Sequence, residues 1–148
     1  MPYTRIKVKI KYKTTPGCQP PPIITSSIIA AEVARNICDH DTILLHEQAF
    51  ILCLNNINTL LGWYPLAKGG MQSITIDPRI IATIAVHCIA QSIILIHNHP
   101  SGSLTPSPAD ISTTSDVKKI LDIIRIPLLD HIIITQTEHF SMKENGLL

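Results

Sequence analysis

The stretch "IILIHNHPSGSLTPSPAD", residues 93–110, joins three local patterns in one short span. The aliphatic run at its start reads as a strand buried on both faces, which requires cover above and below a sheet. It ends in His97 and His99, whose side chains at i and i+2 leave a strand on the same side. Pro, Ser and Gly then break regular structure, and Ser107-Pro108-Ala109-Asp110 opens a helix with Ser at the cap, Pro at the first helical position and an acid at the third. A polar group at the end of a buried strand costs free energy unless it finds a partner, so two imidazoles there call for one.

Upstream, "DPRIIATIAVHCIAQ" (77–91) starts a helix with Asp77 as cap and Pro78 behind it. Downstream, "SPADISTTSDVKKILDII" (107–124) continues the helix opened by Ser107, and "PLLDHIIIT" and "EHFSM" supply the last strands. Further out, "AFILCLNNINTLLGWYPLAKGGMQSITI" (49–76) divides at "NN" and "GG" into two or three antiparallel strands. Ser26 or Ser27 caps a helix running to about His40. The order α-β-β-α-β-α-β-β predicts an α/β (α+β) fold, one mixed, mainly antiparallel sheet packed against helices.

At the N-terminus "RIKVKIKYK" (5–13) alternates strictly, as a half-buried strand with a wet cationic face does. Lysines in that pattern protect an edge strand from aggregation, and this reading is preferred over a nucleic-acid arm. "TTPGCQPPP" follows as a linker or surface loop. The expected organisation is therefore a basic strand and Pro-rich loop over 1–22 and a single domain over 23–148. With 148 residues and 45% hydrophobic content the chain can build one sizeable core. Residues 1–20 carry five cations and no acid, against seven basic and eleven acidic residues in the remainder, so domain-wide affinity for nucleic acid is not indicated. The apolar runs are far shorter than the roughly 20 residues of a membrane span. Cys18, Cys38, Cys53 and Cys88 share no C-x-x-C spacing and read as small buried hydrophobes of a reducing compartment, so a cytoplasmic protein without a membrane partner is expected.

His97 and His99 with Asp110, eleven residues on at the next helix start, make a three-ligand set. Zinc sites with three protein ligands keep a fourth position open, the catalytic pattern, and zinc there lowers the pKa of water toward neutrality. A base must move the proton, and Glu47, just ahead of "FILCLN", is the candidate. Capping alone would also explain Ser107 and Asp110, and an H-x-H pair by itself is a weak signal. The letters "HNH" at 97–99 do not indicate the nuclease of that name, whose residues are spread along a ββα unit. His40, His46, His87, His131 and His139 occur singly and read as structural.

"HNHPSG", then "PSPAD" with Thr114, "LLDHIIIT" and "FSMKENGLL", resemble the RadC family of JAMM (MPN+) metallopeptidase-like proteins. His97, His99, Pro100, Ser107 and Asp110 stand at the spacing of the JAMM pattern, and Glu47 stands eight residues before Asn55, as the family's glutamate does before the residue that ends its "LxLN" strand. The likeness covers almost the whole chain, including "GWY", "GG" and "DPR", and is similar to the short form without a helix-hairpin-helix module. It implies an MPN/JAB-like (cytidine-deaminase-like) sandwich in which His97, His99 and Asp110 bind Zn2+, Glu47 positions water and relays its proton, and Ser107 donates to the oxyanion. It also implies a peptide or protein substrate. The alternative is a DNA-associated accessory protein without peptidase turnover, as the family's "DNA repair" label suggests, and only the cations of residues 5–13 support it.

Overall fold

The structure, a computed structural model, describes residues 20–69 and 74–148. The cationic stretch 5–13 and most of the Pro-rich loop lie outside the described residues, as does the "GMQS" that follows the second strand. Elements run α1 (Ser27–Ile37), β1 (Gln48–Leu54), β2 (Leu60–Lys68), α2 (Pro78–His87), β3 (Ser92–Asn98), α3 (Pro108–Ile123), β4 (Leu128–Ile134) and β5 (His139–Ser141). The expected order is observed. Ser26 caps α1 by accepting the Ile29 N–H, and Asp77 caps α2 by accepting that of Arg79. Helix α1 stops at Ile37 rather than near His40, because Cys38 turns extended and Gln48 Oε1 takes the Asp39 N–H instead.

The sheet order is β2-β1-β3-β4-β5. The pairs β1–β2, β1–β3 and β4–β5 are antiparallel; β3–β4 is parallel, as the α3 crossover between them requires. Pro65 sits in β2, which is an edge strand among the described residues, where a missing N–H is tolerated. All seven residues of β3 are buried at the middle of the sheet.

Alternation splits β3 between two cores. Ile94 and Ile96 pack with Ala30, Ala31 and Ala34 of α1, together with Phe50, Leu52, Ile132 and Ile134. Ile93 and Leu95 pack with Ile81 and Ala85 of α2 and Val117 and Leu121 of α3, from the other side. This is an α/β JAB-like layering, helices on both faces of a mixed sheet. The same alternation sends His97 toward α3 and Asn98 toward the loop after α1. No helix among the described residues is long and apolar enough to cross a membrane.

Candidate metal centre

Each of the three candidate ligands is delivered by a different local device. His97 is the second-last residue of β3 and is 2% exposed. His99 follows the strand at the start of a turn in which the Gly102 N–H returns to the His99 carbonyl at 3.1 Å; Gly102 there has φ +77°, a conformation that suits glycine. Asp110 is the third residue of α3, held by a capping box in which the Ser107 N–H donates to its Oδ2 at 2.7 Å while its own N–H donates to Ser107 Oγ at 3.1 Å.

His97, His99 and Asp110 converge, with one ligand atom from each lying within 4.8 Å of the others. His97 Nε2 is 2.9 Å from His99 Nε2 and 3.2 Å from Asp110 Oδ1; His99 Nε2 is 3.4 Å from Asp110 Oδ2. Tetrahedral zinc with bonds near 2.0–2.1 Å sets its ligand atoms about 3.3–3.5 Å apart, so the group needs little adjustment to close on such an ion. His99 Nδ1 donates to the Ser103 carbonyl at 2.7 Å, and its Nε2 is the atom turned toward His97 and Asp110. The donor set of two imidazoles and one carboxylate therefore fits a divalent metal.

Charge follows the same geometry. Burial alone would raise the Asp110 carboxyl, but its close contacts with the His97 and His99 imidazoles hold it well below the usual carboxylate range. The Asp110 hydrogen bond pushes the His99 imidazole up against the opposing effect of burial. His131, which is deeply buried, is held well below its ordinary value by desolvation and by the neighbouring His97, so it stays neutral.

Glu47 and Ser107 line the same cleft as the three ligands, a space of about 380 Å³ that also takes in Ile76 and Thr113. Ser107 Oγ donates to Asp110 Oδ2 at 2.7 Å and accepts the Asp110 N–H, so capping and contact with a metal ligand belong to one hydroxyl. The cap geometry of Ser107 and Asp110 is realised, and the same two side chains line the cleft beside His97 and His99.

Two groups lay beyond the sequence reading. His131 of β4 stands behind His97, with His131 Nε2 2.8 Å from His97 Nδ1. Asn98, fully buried between the ligands, accepts the Gln48 N–H at 2.6 Å and donates to the carbonyls of Ile43 and His46 at 2.7 and 3.0 Å. It thereby grips the chain on both sides of Glu47. A second cavity of about 410 Å³ lies under the N-terminus of α1 and includes Ser27 and Glu144. There Ser27 Oγ donates to Glu144 Oε1 at 2.6 Å and so faces His139 Nε2, 3.2 Å away, as an acceptor, the wrong polarity for a nucleophile.

The family model described as "RadC-like JAB domain" matches residues 24–147. A "UPF0758 protein" of Flavobacterium johnsoniae is 37% identical over 124 residues, 84% of this chain and 53% of that protein. Proteins of the same name from Chlorobaculum parvum and Carboxydothermus hydrogenoformans are 43% and 44% identical over 69% and 68% of this chain, covering 46% and 45% of their own lengths. The chain thus spans about half the length of the curated relatives it matches.

Proposed function

The chain belongs to the RadC-like JAB domain family, and on that premise we propose that it is a zinc-dependent hydrolase of the metallopeptidase or isopeptidase type that cleaves an amide bond of a peptide or protein with water. The observation that carries this reading is the convergence of His97, His99 and Asp110 in a cleft that Glu47 also lines. His97, His99 and Asp110 would hold the zinc, which would supply the Lewis acidity that brings the pKa of water close to neutrality and polarises an amide carbonyl.

The chain's own groups do the rest. The Glu47 carboxylate accepts a proton from the attacking water and passes it to the departing amine nitrogen as the C–N bond breaks. Asn98 keeps that carboxylate in place by holding the main chain at His46 and Gln48. The Ser107 hydroxyl, which donates to Asp110 Oδ2, turns to donate to the negative oxygen that develops on the carbonyl carbon.

The test is zinc titration followed by assay against mixed peptide and isopeptide substrates. About one zinc per chain is expected, lost on His97→Ala, His99→Ala or Asp110→Ala. Glu47→Gln should keep zinc and lose hydrolysis, because an amide cannot accept the proton. A protein that takes up no zinc overturns the proposal. The DNA-associated alternative rests on the cations of residues 5–13, and a tight, salt-sensitive DNA complex abolished by charge reversal of Lys7, Lys9 and Lys11 would favour it.

A further inference from the structure

A buried line of hydrogen bonds leads from one metal ligand to the main chain of another. Thr114 Oγ1 lies 2.6 Å from the Asp110 carbonyl oxygen and 2.5 Å from His131 Nδ1, and His131 Nε2 lies 2.8 Å from His97 Nδ1. Thr114 and His131 are 2% and 1% exposed. Within each of these three buried pairs one hydrogen lies between the two atoms. A carbonyl has none to give, so the single hydroxyl hydrogen of Thr114 goes to Asp110 O. The sulfur of Met142, 3.2 Å from the same hydroxyl, is the poorer acceptor. The short contact between Thr114 and His131 can then be made only by the imidazole's own Nδ1–H.

A neutral imidazole with its hydrogen on Nδ1 has a bare Nε2, so the hydrogen between the two rings belongs to His97 Nδ1. That leaves His97 Nε2 without a hydrogen, and His97 Nε2 is the atom aimed at His99 and Asp110. In water a neutral histidine favours the opposite form, with the hydrogen on Nε2. The form that can bind a metal through Nε2 therefore has to be imposed.

We propose that His131 and Thr114 are positioning residues that lock His97 in its Nδ1–H tautomer, with the Nε2 lone pair directed into the metal centre. The proposal rests on the metal-site reading above. Metal-bound imidazoles usually donate their second N–H to a carboxylate, a carbonyl or water. Here the acceptor is another imidazole, whose own tautomer is set by a threonine fixed to the helix that carries Asp110. The line closes on itself: turning His97 disturbs the first turn of α3, and moving α3 disturbs His97. His99 is held differently, by an exposed loop carbonyl at Ser103.

The test reads tautomers directly, through the ring 15N chemical shifts of the metal-free protein at a pH where its imidazoles are neutral. The wild type should show His97 and His131 each protonated on Nδ1 and bare on Nε2. Thr114→Val, nearly isosteric, frees His131 to invert, and His131→Leu removes the acceptor altogether. Zinc affinity measured by chelator competition should fall about 10- to 100-fold for His131→Leu, in the range seen when the outer partner of a metal-bound histidine is removed. His131→Gln, whose amide oxygen can accept from His97 Nδ1, should recover most of the loss. The wild-type spectrum decides the question even if a variant does not fold. His97 protonated on Nε2 in the wild type, or zinc affinity unchanged in both Thr114→Val and His131→Leu, overturns the proposal. A wild type with the expected tautomers that nevertheless binds no zinc supports the lock and refutes the metal reading instead.

Discussion

The side-chain oxygen of Asn98 accepts the backbone N–H of Gln48 at 2.6 Å, so the strand that carries His97 also holds the chain beside Glu47. Asn98 Nδ2 completes the grip on the Ile43 and His46 carbonyls. Asn98→Leu keeps the volume and removes all three bonds, leaving one N–H and two carbonyls unpaired in a buried place. The expected loss is on the order of 3 kcal/mol in urea unfolding, with zinc stoichiometry retained at saturating zinc. A loss below about 1 kcal/mol would show that water replaces the amide without cost.

Ser107→Gly separates cap from catalyst. Glycine is nearly as good as serine at a helix N-cap, so α3 should lose only a few tenths of a kcal/mol. The donor to Asp110 Oδ2 disappears as well, which should weaken zinc about tenfold. With zinc saturating, kcat on an amide substrate should fall about 100-fold while KM changes little, as when an oxyanion donor is removed. Steady-state kinetics on a zinc-replete preparation check this, and a fall of less than about threefold assigns the hydroxyl to capping alone.

Ile89 has φ +52° directly after α2, where the Ala90 N–H returns to the Ala85 carbonyl. That left-handed position costs a non-glycine residue about 1–2 kcal/mol, and β-branching adds to the cost. The side chain is 73% exposed and contributes little packing. Ile89→Gly should stabilise the protein by about 0.5–1 kcal/mol after allowance for the extra backbone entropy of glycine, raising Tm by about 2 °C. A lower Tm in calorimetry would mean that Ile89 packs in solution.

The buried thiols define the alkaline limb. Burial pushes Cys38 up to about 11, aided by the Asp39 charge, and Cys53 up to about 12, aided by Cys88. Both values exceed the ordinary 9.0, so the folded state holds these protons more tightly than the unfolded chain does. Their contribution is complete below pH 9 and declines as pH rises through 11 and 12. Stability against urea should therefore fall over that range, and Cys38→Ala should flatten the decline. Alkylation at neutral pH followed by mass spectrometry should leave both thiols unmodified until the protein is unfolded.

Much of the framework could be read from short-range patterns. Asp77-Pro78 and Ser107-Pro108 mark helix starts through capping chemistry that depends on neighbours alone, and both helices begin there. The candidate ligand set was equally local, since the end of β3 with the turn after it and a cap at α3 place His97, His99 and Asp110 together. His131 was not legible in this way. Its approach to His97 depends on the parallel pairing of β4 with β3, in which His131 lies opposite Leu95, and nothing within "LLDHIIIT" reports that pairing. Nor was the role of Asn98, whose partners lie about fifty residues earlier in the chain.

The polar end of β3 also acts as a key for strand alignment. Ile93 to Ile96 would sit comfortably against either core, so hydrophobicity alone distinguishes poorly between the native pairing and one shifted by a single residue. A shift of one would drive His97 and His99 into the aliphatic layer under α1 and turn Asn98 into the cleft. Three polar side chains would lose their partners at once. The residues that gather at the candidate metal centre are thus the ones that make the misaligned sheet expensive.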